Sequence, residues 1–278
     1  MLSFTTTASS SITVLSRAVL SLLAASLPTD DQYGPHMAET SYRQHRFRCP
    51  PGATEIFLVR HGESEPAVPG QPFPLVDGHG DPALAPEGHT QANHVANRLA
   101  EQALDAIYVT TLRRTAETAA PLAFRTGLTP LVEPDLREVH LGQWEGGLFR
   151  QKVAAGDPIA ARLFSEGRWD VIPGAEPQED LLTRTTEAIE RIAAAHPDQR
   201  VAVFSHGGVI GQLLAHASGG GAPFAFTGCD NGSISHLVVT ADRWVIRRFN
   251  DTSHLPGDLD LDPEPRSPSP ASATGFSA

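Results

Sequence analysis

Two histidines in this sequence occupy the same kind of place, each directly after an apolar run and directly before glycine. Glu55-Ile56-Phe57-Leu58-Val59 leads into Arg60-His61-Gly62, and Val201-Ala202-Val203-Phe204 leads into Ser205-His206-Gly207-Gly208. A neutral imidazole is a competent nucleophile near pH 7, since its reference pKa is about 6.5. Attack of His61 on phosphorus would form a phosphohistidine and split one hard displacement into two easier ones. A transferring phosphoryl group carries charge on three equatorial oxygens and needs fixed cations around it. Arg60 adjoins His61, and a guanidinium binds phosphate oxygens in a bidentate way that lysine cannot match. Arg113-Arg114 offers a second guanidinium. His79, His89, His94 and His140 match no zinc-ligand spacing, so they read as surface or pocket-rim residues, and neither metal nor cofactor is expected.

The elements that must position these groups follow from the pattern around them. Each apolar run is a short strand buried on both faces, and ligands in open α/β sheets bind at the carboxyl ends of such strands. Two of them side by side would put both imidazoles in one pocket, with Gly62 and Gly207 letting backbone approach a ligand closely. Residues 66–80 hold four prolines and three glycines and read as a long irregular loop beside that pocket. Helical spacing follows to about residue 103, a second strand covers 104–109, and a helix covers 112–126. A third strand is expected at 131–133, helix over 148–168 with a break at 156–158, and a long helix over 177–195. Strand 201–205 is followed by a buried helix at 209–217 and then by a hairpin of 233–239 and 244–249, with Asn231-Gly232-Ser233 as the turn before it. The alternation predicts an α/β fold of three layers, a mostly parallel sheet with helices on both faces.

Composition narrows the function classes. The 278 residues carry 40% hydrophobic and only 6% aromatic residues, which suits an aliphatic α/β core. A formal charge of −11 repels polyanions, so neither nucleic acid nor an anionic membrane is an expected partner. Cys49 and Cys229, the two cysteines, exclude a disulfide scaffold and fit a reducing, cytoplasmic compartment. Three segments are expected: a leader or arm over 1–51, disordered in 1–36; a catalytic domain over 52–250; and a disordered acidic Pro/Ser-rich tail over 251–278. The apolar run 12–27, interrupted by Ser16 and Arg17, is too short and too polar to span a bilayer. It reads as sequence upstream of a start at Met37, as a disordered or cleaved leader, or as an export signal.

Together the motifs resemble the histidine phosphatase superfamily in its phosphoglycerate-mutase-like branch. Arg60-His61-Gly62 matches that family's Arg-His-Gly motif, and Ser205-His206-Gly207 its second histidine. Thr110-Thr111-Leu112-Arg113-Arg114-Thr115-Ala116-Glu117-Thr118-Ala119 is similar to Ser-Ser-x-Leu-x-Arg-Ala-x-x-Thr-Ala; aligning Leu112, Thr118 and Ala119 puts the phosphate-clamping arginine on Arg114, not Arg113. Val109-Thr110 stands where the family has a serine pair. Leu136-Arg137-Glu138, followed by Gly142-Gln143-Trp144-Glu145-Gly146, resembles a segment whose first glutamate donates the proton to the leaving group, which maps to Glu138. Each residue alone has an ordinary structural reading, with Arg113 or Arg114 on a solvated helix face and Glu138 or Glu145 as loop carboxylates. Four motifs in order over 56–208 outweigh it. The resemblance implies His61 as nucleophile, Glu138 as proton donor, and Arg60, Arg114, Gly62, Gly207 and a protonated His206 around a small phosphorylated substrate. Family members often pair, which makes a homodimer an expectation. Ala67 replaces an asparagine that many members carry six residues after the nucleophile. The mutase form of the acid segment, Glu-Arg-His-Tyr-Gly, is absent, so hydrolysis is favoured over the alternatives of a phosphomutase or a non-catalytic phospholigand-binding member.

Overall fold

Seven residues, Thr54–Arg60, form the central strand β1. Its side chains alternate between two covered faces, so Ile56 and Leu58 enter one core while Phe57 and Val59 enter the other. The computed structural model describes residues 43–257 except 221 and 227. The expectations for 1–42 and 258–278 therefore lie outside the described residues. The chain divides into a unit of residues 1–47 and a unit of residues 48–278, and the second carries the fold.

Along the chain β1 is followed by β2 (Leu75–Val76), β3 (His79–Gly80), α1 (Pro86–Leu99), β4 (Ala106–Val109), α2 (Arg113–Thr126) and β5 (Leu131–Val132). Then come α3 (Leu148–Ala154), α4 (Pro158–Glu166), α5 (Gln178–Ala195), β6 (Arg200–Ser205), α6 (Gly207–Ala217), β7 (Ile234–Val239) and β8 (Trp244–Asp251). One sheet runs β5-β4-β6-β1-β7-β8, with the first four strands parallel and the last two added antiparallel as a hairpin. On one face Val95, Leu99, Ala119 and Leu122 of α1 and α2 pack on Phe57, Val59 and Phe204. On the other, Leu181, Ile189 and Ile192 of α5 and Val209, Leu213 and Leu214 of α6 pack on Ile56, Leu58, Val201 and Val203. Each of these buried aliphatic side chains contributes about 1.5–3 kcal/mol of apolar transfer. The three-layer α/β expectation holds. Among the described residues no helix is long and apolar enough to cross a membrane.

Two expectations need correction. The 66–80 stretch is not wholly irregular: β2 and β3 pair as a miniature hairpin. Asp77 and Gly78 both take positive φ, 50° and 84°. Two left-handed residues in sequence make the tight turn that Asp-Gly favours, and this dipeptide outweighs the surrounding prolines. The tail does not begin at 251 either. β8 includes Asp251, and His254 Nε2 donates to the Gly232 carbonyl at 3.0 Å.

Candidate functional site

Register explains how the two histidines meet. β1 and β6 are adjacent and parallel, with Arg60 opposite Ser205. The next residue on each strand is therefore a histidine, and the His61 N–H donates to the Ser205 carbonyl at 3.1 Å. The two imidazole rings lie 5.2 Å apart between centroids.

His61 is buried and presents one defined ring nitrogen. Its Nδ1 lies 2.7 Å from the Gly62 carbonyl, which can only accept, so the neutral ring carries its proton there. Nε2 is left with a lone pair, and Arg114 Nε donates to it at 3.3 Å. Burial, and then the guanidiniums of Arg114 and Arg60, hold the His61 pKa well below the ordinary 6.5. The ring is therefore neutral, with its lone pair at Nε2.

Arg114 sits in the first turn of α2, is 7% exposed, and donates through Nη1 to the Gly80 carbonyl at 2.9 Å, with Asp81 Oδ1 3.9 Å away. Arg113 points outward and pairs with Glu117 at 2.9 Å. Of the two candidates, Arg114 is the one in the pocket. Arg60 Nη1 donates to the Cys229 carbonyl, while its buried Nε has no partner among the described residues.

Glu138 lines the same cavity, and its two oxygens accept from the Val139 N–H at 3.0 Å and the Gly208 N–H at 3.3 Å. Gly208 permits this approach, because a Cβ there would fall 2.6 Å from Glu138 Oε1. Ser205 Oγ donates to the Leu136 carbonyl at 2.9 Å and ties the acid segment to the end of β6.

His206 is fully buried behind His61 and does not line the cavity wall. Its Nε2 lies 3.1 Å from Thr110 Oγ1, and its Nδ1 has no partner among the described residues. Burial, Arg114 and His61 depress its pKa well below 6.5. With no anion beside it the ring is neutral, whereas the protonated form was expected of it beside a phosphoryl oxygen. Gly62 and Gly207 do not line the cavity either. Gly62 is small because a Cβ would fall 2.5 Å from the Gly88 carbonyl, and its N–H donates to Thr118 Oγ1 at 3.0 Å. Gly207 opens α6, and a Cβ there would meet Arg60 Nε at 3.5 Å. Both glycines keep space for the residues packed against them, Gly62 for Gly88 and Gly207 for Arg60.

The cavity, about 320 Å³, is lined on its far side by Phe73, Leu141, Trp144, Phe149 and Trp169. His79 joins the wall from β3, His140 stacks edge-on against it at 5.1 Å, and His89 faces solvent. Glu145 is a brace, with its oxygens accepting from Gly80 N at 2.7 Å and Leu141 N at 2.8 Å. Asn231 Nδ2 donates to the His61 carbonyl at 2.9 Å, so the expected turn also holds the end of β1.

Sequence reasoning missed three residues. Arg150 of α3 adds a third guanidinium to the cavity. Arg184 of α5 donates to the carbonyls of Asp135 and Arg137 at 2.6 and 2.8 Å and of Glu138 at 3.1 Å, and pairs with Glu176 at 2.6 Å. Thr110 holds His206. A hydroxyl retained where the family has serine was the available signal for Thr110; no spacing marked the arginines.

A model of the histidine phosphatase superfamily (branch 1) matches residues 56–252. The chain belongs to that superfamily. Among histidine phosphatase relatives it is similar to phosphoglycerate mutase-like protein 4 of Arabidopsis thaliana, 37% identical over 205 residues, covering 72% of this chain and 86% of that protein. It is 33% identical over 209 residues to the metal-independent phosphoserine phosphatase of the same plant, covering 73% and 83%. Its fold resembles that of mycobacterial glucosyl-3-phosphoglycerate phosphatase, with a TM-score of 0.61 at 28% identity over 72% of this chain and all of that one.

Proposed function

We propose that this chain hydrolyses phosphomonoesters of small metabolites, without a metal, through a phosphohistidine on His61. The observation that carries the reading is the single unprotonated Nε2 of His61, buried between Arg60 and Arg114 and backed by Glu138. The relatives named as phosphoserine and glucosyl-3-phosphoglycerate phosphatases support it.

In the first step Nε2 forms a bond to phosphorus as the ester P–O bond breaks, and Glu138 gives its proton to the departing alkoxide. The ring gains positive charge, which the Gly62 carbonyl at Nδ1 accepts well. Phosphoryl oxygens replace His61 as the partner of Arg114 Nε and supply the partner that Arg60 Nε lacks. A phosphoryl oxygen at His206 Nδ1 would select the tautomer with its proton there, and Thr110 would donate its hydroxyl to Nε2. A neutral His206 suffices for this bond. In the second step water attacks phosphorus, Glu138 takes its proton, and the P–N bond breaks. A nucleophile unprotonated below pH 6.5 fits the acid-phosphatase type of chemistry.

The acid segment Glu138-Val139-His140-Leu141-Gly142 lacks the mutase pattern, so phosphate passes to water and not to a second hydroxyl. Two free cysteines suit the cytoplasm, and a homodimer is the assembly proposed from the family. The direct test is phosphate release from a panel of phosphorylated metabolites and a chromogenic ester. His61→Ala should abolish release, chelator should leave it unaltered, and vanadate should compete. Full activity in His61→Ala, or phosphoglycerate interconversion without phosphate release, would overturn the reading.

A further inference from the structure

His61 stands just beyond the end of a strand ladder. The β1–β7 pairing stops at Val59 opposite Ile234, so on that side Arg60 and His61 are held by a loop and not by a strand. The Arg60 N–H donates to the Ser233 carbonyl at 3.1 Å, and the Gly232 N–H reaches the carbonyls of Arg60 and His61 at 3.1 and 3.4 Å. Asn231 Nδ2 adds its bond to the His61 carbonyl at 2.9 Å. We propose that the end of β8 and the residues just after it, through Asn250 and His254, brace this loop and so aim His61 at phosphorus, which makes His254 a positioning residue for the reaction. The inference rests on the phosphatase reading above and adds to it a residue that no motif marks.

Gly232 is gripped at both ends of one residue. Its N–H serves β1, while its carbonyl accepts from His254 Nε2 at 3.0 Å. A carbonyl can only accept, so the His254 proton sits on Nε2, and burial lowers the pKa of this ring and keeps it neutral. Its Nδ1 has no partner among the described residues, so the ring's one N–H is committed to Gly232. A closed turn carries His254: the Leu255 N–H donates to the Thr252 carbonyl at 2.7 Å, and Ser253 Oγ donates to Asp251 Oδ1 at 2.7 Å. Leu255 also packs near Gly232, where an added Cβ would meet its methyls at 3.7 Å. Asn250 is the second clasp. Its φ is 52°, and its amide exchanges two bonds of 2.7 Å with Asp230, whose carbonyl accepts from the Ser233 N–H at 3.0 Å. Both clasps thus close on residues 230–233. On the other side the His61 N–H is fixed by the Ser205 carbonyl of β6. Loosening the loop would let the imidazole drift without touching Arg114, which comes from α2, and attack on phosphorus is sensitive to shifts of about 1 Å.

The rival role for His254 is packing that stabilises the fold and leaves chemistry alone. Three variants of the full chain separate the two. His254→Phe keeps a ring and removes its N–H, His254→Gln keeps a donor, and Asn250→Gly keeps the left-handed backbone and removes the amide. For p-nitrophenyl phosphate, kcat/KM reports attack by His61, while the competitive inhibition constant of inorganic phosphate reports the phosphate pocket. His254→Phe and Asn250→Gly should each lower kcat/KM about tenfold, with the phosphate constant held within about twofold. His254→Gln should stay within about threefold of the unaltered protein. A packing role predicts the reverse order for Phe and Gln, and a lower urea midpoint with kcat/KM unaltered. The brace is overturned if kcat/KM stays within about twofold in both donor-less variants, if the phosphate constant weakens as much as kcat/KM falls, or if Gln is as poor as Phe. Should His254→Phe fail to fold, Asn250→Gly decides by the first two criteria. No phosphate release by the unaltered protein would overturn the phosphatase reading and this proposal with it, whereas an active protein with unaffected variants overturns the brace alone.

Discussion

At the scale of single residues, the site divides labour by environment. His61 is kept unprotonated by burial and two guanidiniums, while its Nδ1 proton is fixed by the Gly62 carbonyl. The sign of that shift sets a prediction. A nucleophile whose pKa lies below 6.5 stays competent as pH falls past 6.5, so the acid limb of kcat/KM should lie below the ordinary imidazole range. A pH–rate profile that falls at 6.5 would contradict it. With Glu138 as the proposed proton donor to the leaving group, Glu138→Gln should cost about 10²–10⁴ in kcat on alkyl phosphates. The loss should be much smaller on p-nitrophenyl phosphate, whose departing phenolate needs no proton. Comparing the two substrates in the same variant checks the role directly.

At the scale of elements, the geometry depends on positions where a side chain cannot fit. Gly62 meets Gly88 of α1, and an added Cβ would fall 2.5 Å from that carbonyl. Gly62→Ala should therefore destabilise the fold by about 1–3 kcal/mol, read as a lower urea midpoint. Gly208→Ala pushes on Glu138 Oε1 instead, and a displacement near 1 Å can cost about 10²-fold in kcat. Arg184 works from α5 on the carbonyls of the acid segment. Arg184→Gln should cost about 2 kcal/mol of stability through lost charged hydrogen bonds. It should also lower kcat more than it raises KM, because the loop it fastens carries Glu138. Unfolding curves and steady-state kinetics on one preparation measure both.

At the scale of the whole molecule, two fully buried histidines couple the site to stability. His61 and His206 are both depressed well below 6.5 in the folded protein, whereas the unfolded chain takes up protons near 6.5. Their contribution is complete above pH 6.5 and is lost as pH falls from there toward the folded-state values. Between those limits each histidine costs up to about 1.4 kcal/mol of stability per pH unit. Urea midpoints should thus drop between pH 7.5 and pH 5, and replacing His206 with glutamine should flatten the slope. An unchanged slope would show that the ring is not the group titrating.

What the linear chain determined by itself was local and chemical. Periodicity placed the main strands and helices, because burial on one face or both leaves a repeating mark. The two strand–His–Gly units singled out His61 as the proposed nucleophile, and a matched motif chose Arg114 over its neighbour Arg113. Only the tertiary structure decided which groups met. The parallel register of β1 and β6 set His61 beside His206, a pairing between residues far apart in sequence. Packing set Gly62 against Gly88 and lowered the pKa of His206, since burial depth has no local signature. It also brought in Arg150 and Arg184, which carry no motif and act only through what lies across the fold from them. Charge, reach and desolvation depend on neighbours in space, and those neighbours exist only once the sheet has closed.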